Sequence, residues 1–189
     1  MLILASASPR RKELLEQIDC TFTCMEACVE EIQEAKGTPE ALAIENALRK
    51  AMAVSIRPEA EGQPVLGADT VVCYQGEIFG KPKDQEDAKY MLGLLSGNRH
   101  QVCTGIALVI NGKTWTKAVT TEVVFADLTK AEIEAYAACG EPFDKAGSYA
   151  IQGRAAAFIK EIHGCYTNVV GLPLQCLTKL AEEAGLELR

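Results

Sequence analysis

The chain has 189 residues, 48% hydrophobic and 24% charged, with 26 acidic and 19 basic residues for a formal net charge of −7. That apolar content supports one buried core, while the acidic balance argues against a nucleic-acid surface, which needs a basic stripe to displace counterions. No apolar run approaches the roughly 20 residues of a bilayer span, so no membrane partner is expected.

Met1-Leu2-Ile3-Leu4-Ala5 reads as a short buried strand, too short for a signal-peptide core. Ser8-Pro9 then opens a helix, with Ser8 as cap, Pro9 at the first helical position and Leu14, Leu15 and Ile18 as the apolar face. Thr38-Pro39-Glu40 repeats the start signal for an alanine-rich helix to about Ile56. Val65 to Tyr74, rich in β-branched residues, reads as a central strand, and Gln75-Gly76 turns it into Glu77-Ile78-Phe79. Asp84 caps a helix to about Leu95. Val102–Ile110 and Thr114–Phe125 are strands joined by Asn111-Gly112, a strong hairpin signal. Thr129 with Glu132 forms a capping box for a helix ending at Gly140, and Leu172-Pro173 opens a final helix closed by Gly185. Helices interleaved with strands, with a hairpin among them, predict a single α/β domain over 1–189, a mixed sheet flanked by helices.

Eight cysteines without a secretory signal are expected as reduced thiols of a cytoplasmic protein. Cys20, Cys24 and Cys28 have no zinc-pair spacing, and only His100 and His163 are available beside them, so half-buried packing is the simpler reading.

Four segments hold residues that structure alone does not require. Ser6-Ala7-Ser8-Pro9-Arg10-Arg11 lies at a strand-to-helix junction, where free N–H groups, two hydroxyls and two guanidiniums suit a phosphate chain. A capped helix with a solvated basic turn is the plainer alternative, but basic residues oppose the dipole in a first turn. Asp69, in Leu66-Gly67-Ala68-Asp69-Thr70-Val71-Val72, is an acid inside an apolar strand, costly unless paired or metal-bound. It suits a divalent cation or a water-derived proton, or else a bond to neighbouring backbone. Gly80-Lys81-Pro82 holds a lysine between two backbone-restricting residues. The loop from Glu141 to Gly153, with Asp144, Lys145 and Gln152, suits a flat polar ligand such as a base. Phe143, Tyr149 and Tyr166 suit base stacking and core packing equally. No P-loop and no Gly-rich dinucleotide fingerprint is present, which argues against a P-loop NTPase, kinase or Rossmann dehydrogenase.

Together with Val29-Glu30-Glu31, Lys50, Leu95-Ser96-Gly97, Asp144-Lys145-Ala146-Gly147, Ile151-Gln152-Gly153 and Val170-Gly171-Leu172-Pro173, these segments form an ordered set. In that set the chain closely resembles the Maf family of nucleotide pyrophosphatases. The resemblance implies a two-lobed Maf/ITPase-like fold around a central cleft, a homodimer, and hydrolysis of a nucleoside triphosphate to monophosphate and pyrophosphate with Mg²⁺ or Mn²⁺. It implies Asp69 as proton acceptor, Ser8, Arg11, Lys50 and Lys81 along the phosphate path, and Glu31 and Glu30 with Asp69 at the metal. Arg10, Thr70 and Gln152 match the subgroup-defining positions of the dTTP/UTP branch; the 7-methyl-GTP branch carries Trp, Gln and Glu there. A neutral amide at 152 pairs with a uracil or thymine edge through both donor and acceptor. The resemblance implies a house-cleaning role and brings two competing readings, a non-enzymatic regulator of septum formation and cell-division arrest, and a 7-methyl-GTP enzyme. A phosphatase cutting at the γ-phosphate is a third.

Overall fold

In the computed structural model, which describes residues 1–32 and 37–189, the strands join in one mixed sheet. They are β1 (Leu2–Leu4), β2 (Phe22–Cys24), β3 (Val65–Tyr74), β4 (Glu77–Phe79), β5 (Arg99–Ile110), β6 (Lys113–Phe125) and β7 (Ile159–His163), in the order β2-β1-β3-β5-β6-β7 with β4 beside β3. β1 runs parallel to β2 and β3; every other pairing is antiparallel. The helices are α1 (Pro9–Gln17), α2 (Pro39–Ser55), α3 (Gln85–Leu95), α4 (Lys130–Ala137), α5 (Tyr166–Val170) and α6 (Leu174–Glu183). The mixed sheet flanked by helices is the one expected. β2, β7 and α5 escaped the sequence reading because three to five residues are too few for a periodicity to show.

Strand alternation divides β3 between two layers. Val65, Gly67, Asp69 and Val71 face α2, where Ala47, Ala51, Leu42 and Ala43 meet them. Leu66 and Ala68 face a core with Leu14, Leu15, Leu172 and Leu177 from α1, α6 and the chain before α6. Farther along, Val72 joins Phe79, Leu92, Leu95, Phe125 and Tyr149 in a core covered by α3 and α4. The long strands β3, β5 and β6 run through both ends, and a cleft opens between them.

The cleft exists because β3 lacks a neighbour on one edge. β1 pairs only as far as Leu66, and β4 begins pairing at Val72. Between those points no described strand covers β3, and Asp69 and Thr70 lie in that interval.

Two glycines let α2 lie against the sheet at backbone contact. A Cβ on Gly67 would come within 2.0 Å of the Ala47 carbonyl oxygen, and one on Gly105 within 2.3 Å of the Ala43 carbonyl carbon. Gly105 is the cross-strand partner of Asp69. Neither obstruction is a flexible side chain, so any larger residue must push the helix outward. Gly105→Ala is therefore expected to destabilise the fold by about 1–3 kcal/mol, read from urea unfolding midpoints. An unchanged midpoint would mean that the helix has room to spare.

Candidate active site

The close seat of α2 brings Asn46 and Lys50, one turn apart on its inner face, onto Asp69. Lys50 Nζ donates to Asp69 Oδ1 at 2.6 Å, and Asn46 Nδ2 donates to Oδ2 at 3.2 Å. Asp69 is 5% exposed and Lys50 9%. The same ammonium donates to Glu31 Oε1 at 2.7 Å. Asn46 also receives the Ile32 amide at 2.8 Å and returns a bond to the Ile32 carbonyl, which fixes the strand-less segment that carries Glu31. Burial pushes the Glu31 carboxyl up, but the bond from Lys50 and the charges of Lys50, Lys81 and Arg11 outweigh it. Glu31 therefore sits below the ordinary carboxylate range.

On the other face of β3, Arg11 is buried at the start of α1. Its Nε donates to the Gly171 carbonyl at 2.8 Å, Nη1 to Ser6 Oγ at 3.2 Å and Nη2 to Thr70 Oγ1 at 3.2 Å. Burial lowers the guanidinium from its ordinary value while the Asp69 charge pulls it back, and an arginine so placed stays charged at physiological pH. Ser8 occupies the cap position of α1 without a side-chain cap bond; the Ser8 amide is instead taken by Ser6 Oγ at 3.2 Å. The cap expected of the Ser8 hydroxyl is thus absent. Arg10 reaches Asp144 Oδ2 at 3.4 Å.

A cleft of about 370 Å³ collects these groups, a size within the usual range for small-molecule sites. Ser8, Arg10, Arg11, Glu31, Lys50, Asp69, Thr70 and Lys81 all line it, with Tyr149 and Ile151 on the far wall. Gln152 is exposed beside Ile151 and Glu30 is exposed beside Glu31; neither forms part of the wall. The turn carrying Gln152 is braced by Glu141. Glu141 Oε1 accepts from Tyr136 at 2.7 Å, Oε2 accepts from the Arg154 amide at 3.2 Å, and a Cβ on Gly153 would come within 2.0 Å of the carboxylate. Phe143 and Tyr166 are exposed and stand off the wall.

Among the described residues no three His, Cys, Asp or Glu side chains converge as a metal site, and Cys24 and Cys28 are exposed while Cys20 is buried. Asp69 and Glu31 nevertheless aim one oxygen each at a single cation, the Lys50 ammonium. Two carboxylates suit a magnesium-type ion, which takes its remaining ligands from water and substrate phosphates. Asn46 was missed from sequence. Its signal was present, since an amide four residues before Lys50 lies on the same helix face.

A family model described as Maf-like protein matches residues 1–184. A dTTP/UTP pyrophosphatase of Bacillus cereus is 46% identical over 99% of this chain and 97% of its own. Proteins of the same description from Symbiobacterium thermophilum and Gloeobacter violaceus are 49% and 50% identical, over 97% and 96% of this chain and 94% and 95% of theirs. The solved structure of the Staphylococcus aureus Ham1 protein aligns with a TM-score of 0.51 over 97% of this chain and 98% of that one, at 14% identity, a likeness of fold.

Tyr149 is held on the cleft wall by His100, whose Nε2 lies 2.7 Å from the tyrosine hydroxyl and whose Nδ1 has no partner. Burial pushes the imidazole down to about 4. An unfolded chain binds that proton near pH ~6.5, so the stability due to neutral His100 is complete above that pH and is lost as pH falls toward 4. Urea unfolding between pH 7 and 4.5 is expected to show this loss, at up to about 1.4 kcal/mol per pH unit, with a shallower slope in His100→Gln. Equal slopes in the two proteins would assign the proton to another group.

Proposed function

The chain belongs to the Maf family, and from that premise we propose that it hydrolyses dTTP and UTP to the monophosphate and pyrophosphate. The observation that carries the reading is the Asp69–Lys50–Glu31 set, its Asp69 and Lys50 buried, facing a cleft lined by Arg10, Arg11 and Lys81. A chain of net charge −7 that brings Arg10, Arg11, Lys50, Lys81 and Lys145 to one concavity is suited to an anionic ligand there. The relatives named for this activity match along nearly the full length.

Each residue has a distinct task. A carboxylate offers about four lone-pair sites, and Lys50 and Asn46 occupy two of those on Asp69. The others remain to orient a water and take its proton as it attacks the α-phosphorus. Arg11, Lys50 and Lys81 stabilise the charge that develops on the leaving pyrophosphate. Ser8, with a hydroxyl not spent on capping, donates to a phosphate oxygen. Asp69 and Glu31 would hold Mg²⁺ or Mn²⁺, and the chemistry a bound ion supplies there is charge neutralisation and Lewis acidity. Arg10, Thr70 and Gln152 select the pyrimidine base, with Gln152 reaching over the rim from its exposed turn. Eight unpaired cysteines, and described helices none of which is long and apolar enough to cross a membrane, support a place in the reducing cytoplasm. The assembly we propose is a homodimer.

Asp69→Asn is expected to lower pyrophosphate release from dTTP by at least about a hundredfold. The fold should survive, because Lys50 keeps Glu31 as a partner. Near wild-type turnover in that variant would remove Asp69 from the reaction. With dTTP, UTP, CTP and 7-methyl-GTP compared by chromatography, dTTP and UTP should be the preferred substrates and pyrophosphate the product. A preference for 7-methyl-GTP would reverse the assignment of Arg10, Thr70 and Gln152, and release of orthophosphate would reverse the site of cleavage.

A further inference from the structure

Behind Arg11 runs a hydrogen-bond chain whose buried far members, Thr104 and Asn168, have no part in the proposed reaction. Arg11 Nη2 donates to Thr70 Oγ1, which lies 2.8 Å from Thr104 Oγ1 on β5, and Thr104 Oγ1 donates to the Asn168 carbonyl at 3.0 Å. Thr104 and Asn168 are both 0% exposed. The Asn168 side chain pins its own peptide by donating to the Val102 carbonyl and to Thr121 Oγ1, each at 2.9 Å.

The direction of the chain follows from proton counting. A hydroxyl has one proton and two lone pairs. Thr104 gives its proton to the Asn168 carbonyl, so at the contact between the two threonines it accepts and Thr70 donates. Thr70 has then spent its only proton away from the cleft and receives Arg11 through a lone pair. Reversing the order would leave the buried Asn168 carbonyl with the Gly171 amide, at 3.0 Å, as its remaining donor, one hydrogen bond fewer where no water can replace it. The guanidinium has five N–H groups. Gly171, Ser6 and Thr70 take three of them, which leaves two for the cleft.

We infer that Thr104 and Asn168 are positioning residues that fix the polarity of this chain and so hold Arg11 with two N–H groups facing an anionic ligand of the pyrophosphate class. Thr70 in turn offers a ligand a lone pair and no proton. The inference rests on the reading of Arg11 as a phosphate ligand.

The test is binding of inorganic pyrophosphate by calorimetry to wild type, Thr104→Val, Thr104→Ser, Arg11→Ala and the Arg11→Ala/Thr104→Val double variant, with thermal unfolding recorded for each. Thr104→Val keeps the shape and removes the hydroxyl. It is expected to weaken pyrophosphate about tenfold, while Thr104→Ser restores affinity to within about twofold. In the Arg11→Ala background the valine should have no further effect, since coupled residues are non-additive. Unchanged affinity in a folded Thr104→Val protein overturns the inference. So does an equal loss with and without Arg11, which marks a merely structural role, and so does a wild type that does not bind pyrophosphate. If Thr104→Val fails to fold, Thr104→Ala takes its place in the same cycle. Wild-type release of pyrophosphate from dTTP is measured alongside, so that failure of the proposed reaction is seen separately from failure of this chain.

Discussion

The pairing of Asp69 with Lys50 beneath α2 is the contact around which the cleft is organised. A carboxylate on the helix-covered face of a central strand has lost its water and must be compensated inside the protein. Lys50 does this at 2.6 Å and Asn46 adds a second bond, but both reach only because Gly67 and Gly105 let the helix backbone touch the sheet. Breaking a buried pair by deleting one partner typically costs 3–5 kcal/mol, more than most single contacts contribute. The ion pair is weak evidence for stability in itself, since an apolar pair of similar volume often does as well. Its retention in this position is therefore better explained by chemistry at the cleft than by support of the fold.

The open edge of β3 converts that pairing into a site. With β5 on one edge of residues 67–71 and no described strand on the other, a ligand can approach the strand from that open side and meet groups from both faces of the sheet. Asp69 comes from the α2 layer, and Arg11, anchored on Thr70 and Gly171, comes from the α1 layer. Lys81 and Arg10 arrive from the segments that flank the gap. Cations from three separate stretches of chain, Arg10 with Arg11, Lys50 and Lys81, thus meet in one cleft, which reconciles the acidic composition with an anionic substrate class.

Much of this was legible in the sequence where one residue violated its local pattern. An acid amid Val, Leu and Ala identified Asp69, and a basic first turn identified Arg10 and Arg11. The strands β3, β5 and β6 and the helices α2, α3 and α4 announced themselves through β-branched runs and caps. What stayed hidden was whatever conformed locally. Thr104 is a good strand former among strand formers, and Asn46 is an unremarked polar residue on a half-exposed helix; their partners lie 64 and 23 residues away. Gly105 reads as an interruption of a strand, and only the helix above it shows why no side chain fits. Ser8 shows the opposite limit. Its sequence context fits a cap, yet its hydroxyl makes no cap bond and its own amide turns back to Ser6 two residues earlier, a local geometry that spacing alone does not settle.

The alternation of β3 has a consequence for how such a protein tolerates change. Asp69 and Thr70 are adjacent in the chain, yet they serve opposite sides of the sheet, so their roles are distinguished by odd and even position alone. Substitution at one leaves the other where it is. An inserted or deleted residue between Leu66 and Asp69 would exchange the two sides, turning the acid toward Arg11 and the hydroxyl toward Lys50. Length in this stretch is thus held more strictly than identity, and variation in such chains should accumulate as replacements here and as indels in the turns beyond.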